Sequence, residues 1–223
     1  MKKNFIIMLI CVLISLCGCS NIPKEQVSII NHSIEQTSKK DFSVENKYFF
    51  PVEGSITYKT RFTFLEEELL PQEINLLINE ILRFKQGILY ELKIDFDGDF
   101  SGRTYYDWDR FHLGYFYVQE DKILLLRGED ILNEITSEED ILSRGKIVCQ
   151  DEELKDPLNE DQKGEHEYIL LDENQRQYHS YNNLVESGFY ETFVWEQNMG
   201  LVSYRSVFGA EKDGIEMYLE SED

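Results

Sequence analysis

Apolar side chains recur at every second position in several stretches of this chain, and this period constrains its fold more than any other feature. The clearest stretch lies between Gly87 and Asp97, where the alternating apolar residues are Ile88, Tyr90, Leu92, Ile94 and Phe96. A period of two places successive side chains on opposite faces of a β-strand, so one face of this strand is predicted to be buried. The dipeptide Asp97-Gly98 that follows is typical of a tight hairpin turn.

Shorter stretches with the same character predict further strands and hairpins. Single strands are predicted over residues 55–64, 147–149, 167–171 and 215–219. One hairpin is predicted over residues 115–127, with its turn at Glu120-Asp121. Another is predicted over residues 189–208, around Asn198-Met199-Gly200. Because hairpins join antiparallel strands, the sheet is expected to be predominantly antiparallel.

One segment has the three- and four-residue spacing of a helix instead. Its apolar residues are Leu70, Ile74, Leu77, Ile78, Ile81 and Phe84. Pro71 suits a first helical turn and Gly87 suits a C-terminal stop. The spacing therefore predicts a main helix over residues 71–85.

A short second helix is predicted where Ser137 is followed three residues later by Asp140, since this pair can form a capping box. Gly145 would end that helix. The fold class expected is α+β: a predominantly antiparallel curved sheet or open barrel wrapped on the main helix at about residues 71–85.

The charge balance of the chain limits the partners it can have. There are 43 Asp and Glu residues against 22 Lys and Arg residues, and the formal net charge is −21. Nucleic acids and anionic lipid surfaces both attract basic patches, so neither is an expected electrostatic partner. Any membrane attachment would have to come from a covalent lipid.

The first twenty residues have the pattern of an export signal. Met1-Lys2-Lys3-Asn4 is a basic head, and residues 5–16 are apolar except for Ser15. Twelve residues span roughly 18 Å as a helix, which is too short for a hydrocarbon core of about 30 Å. The segment is therefore predicted to be processed rather than to span a membrane.

The end of this signal, Leu16-Cys17-Gly18-Cys19, resembles the lipobox of bacterial lipoproteins. Leu16 stands at position −3, Gly18 at −1 and Cys19 at the acceptor position, while Cys17 departs from the residues usual at −2. The resemblance implies cleavage before Cys19, lipidation of its thiol, and attachment to the extracytoplasmic face of the cell membrane.

The resemblance, together with the polar and non-periodic composition of residues 21–46, predicts a division of the chain into three parts. Residues 1–18 would be the signal peptide, residues 19–46 the lipidated cysteine and a flexible spacer, and residues 47–223 a single β-rich extracytoplasmic domain. Cys149 would then be the one free cysteine of the mature chain. We expect this domain to fold as a monomer without an internal disulfide, a metal or a cofactor.

The acidic turn from Asp95 to Asp99 has oxygen ligands at alternate positions, as Ca²⁺ requires. An EF-hand loop also needs Gly at its sixth position and an acid at its twelfth, and Phe100 and Tyr106 stand there. The segment follows a predicted strand, so it is better explained as a β-turn with solvated acids.

Three further groups have residue types that catalysis uses. Cys149 could act as a nucleophile with His166 or His179 as its base, but an Ile-Val-Cys strand indicates a buried cysteine. The sequence Asp107-Trp108-Asp109 has the composition of a sugar-stacking site, although alternation favours Trp108 packing inward. No two histidines have the spacing of zinc ligands.

The function expected from these observations is that of a membrane-anchored binding or interaction domain without catalytic activity, with carriage of a hydrophobic ligand as a variant. The alternative is a cell-envelope enzyme acting on glycan or peptide. The residues that such an enzyme would bring together in a cleft are Asp107, Trp108, Asp109, His112, Cys149 and His179.

Replacing Cys19 with Ala tests the anchor. The variant should accumulate as an unprocessed precursor, because the acceptor thiol is gone. Detergent partition and intact mass measure both effects, and the conservative control is Cys149→Ala, which should be processed like the wild type. A water-soluble wild-type protein without the mass of a diacylglyceryl group would contradict the assignment.

Overall fold

The computed structural model describes residues 44–50, 54–64, 67–68, 72–95, 112–128, 130–156, 158, 162–184, 188–208 and 213–219. Strands dominate this part of the chain. They are β1 (Gly54–Phe64), β2 (Glu67–Glu68), β3 (Gln72–Arg83), β4 (Gly87–Asp95), β5 (His112–Gln119), β6 (Lys122–Leu126), β7 (Lys146–Gln150), β8 (Glu165–Leu171), β9 (Gln175–Asn182), β10 (Phe189–Glu196), β11 (Gly200–Phe208) and β12 (Asp213–Tyr218).

All strands pair antiparallel in one sheet, in the order β7-β6-β5-β4-β3-β1-β12-β11-β10-β9-β8. The short strand β2 lies off this path and pairs with β1. The pairing of β12 with β1 joins the meanders β1–β7 and β8–β12 into one sheet, which forms a nearly closed 11-stranded barrel. The antiparallel hairpins β5–β6 and β10–β11 are those predicted from the sequence.

The gap in the barrel lies between β7 and β8. Ten antiparallel steps separate these two strands around the sheet, so they run in the same direction. The connecting chain must therefore return along the gap, and it makes one bridge there, in which the Ile169 N–H donates to the Leu154 carbonyl oxygen at 2.9 Å. An ion pair between Lys146 and Glu167 also spans the gap.

The main helix predicted over residues 71–85 is wrong, since this segment is strand β3. Its neighbours are β1 and β4, which pair with it along most of its length. Ile74, Leu76 and Ile78 alternate into the interior and are 2%, 0% and 4% exposed. Leu77 on the other face is half-buried, so apolar residues on both faces of the strand imitated a helical period.

The predicted α+β class is therefore wrong as well, and the described structure is an antiparallel β-barrel with two short helices. They are α1 (Ile131–Glu134) and α2 (Glu138–Arg144). The short helix predicted at Ser137 is confirmed: the Ser137 hydroxyl accepts from the Asp140 N–H, the Asp140 carboxylate accepts from the Ser137 N–H, and Gly145 ends the helix.

Both faces of the sheet are covered near these helices. The Tyr117 hydroxyl donates to the Glu138 carboxylate of α2, and Leu124 packs beneath Gly145. Leu89, on the outward side of β4, is 0% exposed. A strand buried on both faces needs apolar residues at consecutive positions, which explains the unbroken run Leu124–Leu126.

Residues 44–50, called the plug here, close one end of the barrel. Tyr48 and Phe49 belong to the interior core, and the Phe49 ring lies 4.7 Å from that of Tyr90. The Asn46 side chain donates to the Gln119 carbonyl oxygen at 2.7 Å. Gly200 is required at this contact, because a Cβ there would lie 2.0 Å from the carbonyl oxygen of Phe50.

Replacing Leu76 with Ala distinguishes a strand from a helix at β3. Leu76 was outside the helical set but is fully buried in the strand, so the variant should lose roughly 2–5 kcal/mol of unfolding free energy. Leu77→Ala is the matched control and should lose clearly less in urea melts. A larger loss at Leu77 than at Leu76 would contradict the strand assignment.

Candidate functional site

Several residues singled out in the sequence lie outside the described residues. These are Cys19, Asp97, Asp99, Asp107, Trp108 and Asp109. The lipidation site, the sugar-stacking hypothesis and most of the acidic turn therefore stay predictions. Of that turn, Asp95 is described, and it is the exposed last residue of β4.

His112 and His179 both lie on the outer side of the barrel, on different strands. The His112 ring lies 3.3 Å from the Glu91 carboxylate, and the His179 ring lies 3.1 Å from the Thr192 hydroxyl. Burial lowers the pKa of both histidines. Neither is directed toward the barrel interior.

His166 has a structural environment. It is 0% exposed, its Nδ1 lies 2.8 Å from the Asp156 carboxylate, and its Nε2 lies 3.0 Å from the Gln162 carbonyl oxygen. Its ring stacks on Tyr181 at 4.3 Å. Partial burial raises the pKa of Asp156, but the Leu158 N–H and His166 outweigh it and leave that pKa lowered. Through these contacts, His166 of β8 holds Asp156 and Gln162 of the segment that follows β7.

Cys149 lies in the interior core, on the opposite side of the sheet from His166 and His179. It is 0% exposed, and burial raises the pKa of its thiol. A raised pKa favours the unreactive thiol over the thiolate. The structure therefore does not bring together the nucleophile and base considered from the sequence.

A cleft of about 350 Å³ lies at the end of the barrel opposite the plug, beside the gap. We call it the gap cleft. Its lining residues are Leu125, Arg127, Arg144, Lys146, Glu165, Tyr178, Ser180, Tyr181, Asn182, Phe189 and Glu191. They come from β6, α2 and β7 on one side of the gap and from β8, β9 and β10 on the other, so the fold itself assembles this surface.

The floor of the gap cleft is an ion pair between Arg127 and Glu191. The guanidinium donates from Nη1 and Nη2 to the two Glu191 carboxylate oxygens at 2.8 and 2.6 Å. Its Nε and Nη2 also donate to the Leu113 carbonyl oxygen at 3.0 and 2.9 Å. The Tyr204 hydroxyl donates to Glu191 at 3.0 Å. This bidentate geometry fixes the arginine in place.

Burial differs between the two partners of this pair. Glu191 is 4% exposed, whereas the side chain of Arg127 is 40% exposed. Burial alone would lower the pKa of Arg127, but Glu191 outweighs it and holds that pKa above its ordinary value. The arginine is therefore a permanent cation that is anchored from behind and partly open to the cleft.

The remaining charges of the gap cleft lie nearer its rim. Arg144 pairs with Glu134, and both side chains are about half exposed. Lys146 pairs with Glu167 across the gap. Burial raises the pKa of the nearby Tyr178 phenol, so this residue is uncharged at neutral pH.

A second cleft of about 440 Å³ shares Arg127 and Arg144 with the first. Its other lining residues are Leu126, Gly128, Asp130, Ile131 and Glu134. It lies beside α1, and its two cations face two acids. The two arginines therefore separate two neighbouring depressions.

The sequence contains a signal for this site that residue types alone do not reveal. Glu191 alternates with Phe193 and Trp195, so it is a charged residue on an otherwise apolar face of its strand. Arg127 directly follows the apolar run at the end of β6. A buried charge requires a partner, and these two residues supply it to each other.

A second polar cluster holds the plug in place. Asp151 accepts from Lys47 at 2.8 Å, from the Tyr48 hydroxyl at 3.0 Å and from Arg176 at 2.8 Å. The hydrogen bond from Lys47 is the main reason why the pKa of Asp151 is lowered. All members face one another, so we interpret this cluster as structural.

Within the described ranges, His, Cys, Asp and Glu residues form no cluster suited to a metal ion. The same residues also include no helix that is both long enough and apolar enough to cross a membrane.

No family model matches the sequence, and no curated protein matches it. Comparison with solved structures matches this chain to one described as a "putative lipoprotein" from Parabacteroides distasonis ATCC 8503. The two chains are 10% identical, with a TM-score of 0.33, over 79% of this chain and 99% of the other. A similarity of this size establishes neither a shared fold nor a shared function.

Proposed function

We propose that this chain is a membrane-anchored extracytoplasmic lipoprotein whose barrel is a binding domain without catalytic activity. The sequence Leu16-Cys17-Gly18-Cys19 supports the anchor and the location. The gap cleft supports the binding role, since its volume of about 350 Å³ lies in the range of small-molecule sites.

The single observation that carries the binding role is the fixed cation of the gap cleft, since Arg127 is held from behind by Glu191 and its side chain is 40% exposed. The pKa shifts of Arg127 and Tyr178 are both upward, so the arginine stays charged and the phenol stays neutral at pH 7. Acid–base catalysis requires a group whose pKa lies near the working pH. These side chains are suited to hold a ligand rather than to exchange protons with it.

Carriage of a hydrophobic ligand inside the barrel is not the form of binding we propose. Aromatic side chains fill the interior: Phe116 lies 5.7 Å from Phe193 and 5.8 Å from Trp195 between ring centroids. Tyr58 and Tyr178 are buried in the same core. The ligand would instead bind at the end of the barrel, where polar and apolar residues meet.

The enzymatic alternative, hydrolysis of envelope glycan or peptide, needs two convergent catalytic groups. Glu165 and Glu191 are the carboxylates that line the gap cleft. Both oxygens of Glu191 accept hydrogen bonds from Arg127, which leaves this carboxylate poorly placed to accept a substrate proton. We therefore favour binding.

A fragment screen on the full chain in detergent micelles tests this proposal. Ligand-observed NMR should find compounds whose binding is lost in Ser180→Trp, because the indole would fill the gap cleft. Ser203→Trp, on the outer side of β11, is the matched control and should bind as the wild type does. Bound compounds should be recovered unchanged by mass spectrometry.

Two results would contradict the proposal. One is conversion of a bound compound into product by the wild-type protein. The other is a Ser180→Trp variant that melts like the wild type yet binds every compound that the wild type binds.

A further inference from the structure

Arg127 is anchored by most of its donors but not by all of them. A guanidinium has five N–H groups, and four hydrogen bonds join Arg127 to Glu191 and to the Leu113 carbonyl oxygen. One N–H of Nη1 is left without a partner in the described part of the chain. Because the side chain is 40% exposed and lines the gap cleft, this donor is available to a ligand.

Two further cations at the rim form ion pairs that are exposed and therefore weak. Arg144 and Glu134 are 46% and 51% exposed, and Lys146 and Glu167 are 52% and 27% exposed. Ion pairs this exposed contribute about 0–1 kcal/mol, so an incoming anion can replace Glu134 or Glu167 at little cost.

The acids of the gap cleft are less available to a cationic ligand than its cations are to an anionic one. Glu191 is occupied by Arg127 and Tyr204. Glu165, an exposed residue at the start of β8, is the other acid of the lining. A cation bound there would lie among Arg127, Arg144 and Lys146, whereas an anion would meet all three favourably.

The rest of the lining is suited to an apolar body. Leu125, Phe189 and the ring of Tyr178 supply apolar surface, and Ser180 and Asn182 supply neutral polar groups beside it. One spare donor on a fixed arginine matches one carboxylate oxygen, and charge-assisted hydrogen bonds of this kind are among the strongest in proteins.

We propose that the gap cleft binds a monocarboxylate with a compact apolar body. The carboxylate accepts from the free Nη1 N–H of Arg127 and is neutralised by Arg144 and Lys146, while the apolar part packs on Leu125 and Phe189. This inference rests on the proposed function, since it names the ligand class of the same site. The carboxylate can belong to a free acid or to the C-terminus of a peptide.

Calorimetry with 3-phenylpropionate and its uncharged amide tests the proposal on the full chain in detergent micelles. The acid should bind at least about tenfold more tightly than the amide, because only the acid accepts charge-assisted hydrogen bonds. Raising the salt concentration from about 50 to about 500 mM should weaken binding of the acid and leave binding of the amide unchanged.

Variants at the rim give the second measurement, because they leave the buried ion pair intact. The double variant Arg144→Gln/Lys146→Gln should bind the acid roughly 3- to 10-fold more weakly and should bind the amide with unchanged affinity. Arg205→Gln, an exposed cation on the outer side of β11, is the matched control and should change neither. N-acetylphenylalanine binding as well as 3-phenylpropionate would indicate a peptide C-terminus as the source.

The possible failures separate the two proposals. If the acid and the amide bind equally and both are lost in Ser180→Trp, the proposed preference for a carboxylate is wrong, but the gap cleft remains a binding site. Binding of neither compound would overturn this ligand class. If Ser180→Trp also retained every compound found in the fragment screen, the proposed function would fail as well.

Discussion

The ion pair between Arg127 and Glu191 joins walls of the barrel that the sheet connects only by a long path. Arg127 follows β6 and also donates to Leu113 of β5, while Glu191 belongs to β10 and accepts from Tyr204 of β11. Between β6 and β10 the hydrogen-bonded sheet runs through β1 and β12, on the far side of the barrel. The pair is a direct polar link across the interior beside the gap.

The need for such a link follows from the strand count. Eleven strands that all pair antiparallel leave β7 and β8 running in the same direction, so they cannot close the barrel by a further antiparallel pairing. The Leu154–Ile169 bridge and the Lys146–Glu167 pair cross the gap only locally. The opening that remains at one end is the gap cleft, so the site is a consequence of the topology.

The opposite end is closed by the plug, which precedes β1 in the chain. Its aromatic residues Tyr48 and Phe49 complete the core, and its polar groups bind turns between strands. Asn198, whose φ of 63° is in the left-handed region, donates from its N–H to the Lys47 carbonyl oxygen at 2.7 Å. The end of the barrel opposite the plug carries Arg127 and the gap cleft.

Local signals in the sequence were sufficient for some elements of this fold. The alternation at Ile88–Ile94 predicted β4, and Ser137 with Asp140 predicted α2, because each pattern is decided by neighbours in the chain. The segment 71–85 was assigned wrongly, because its apolar residues serve two faces of a strand and its state is decided by pairing with β1 and β4. A periodic pattern depends only on neighbouring residues, so it does not report which distant strands will pair with a segment.

The candidate site was harder to predict for the same reason. Arg127 and Glu191 are 64 residues apart, and nothing in the sequence specifies that they meet. The histidines and Cys149 were catalytic candidates because of their residue types, but Cys149 lies inside the barrel and the histidines lie on the outer side of the sheet. A charged residue on an apolar strand face, such as Glu191 beside Phe193, was the more informative pattern.

A double-mutant cycle on the two partners measures most directly whether this ion pair holds the barrel together. Arg127→Met leaves the buried Glu191 carboxylate without its partner and should lose roughly 3 kcal/mol of unfolding free energy. Glu191→Leu should lose less, because the Arg127 side chain is 40% exposed and stays partly hydrated. The double variant should lose at least about 1 kcal/mol less than the sum of the two, because the unpaired charge is gone. Losses below about 0.5 kcal/mol, or losses that add without coupling, would contradict the central role assigned to the pair.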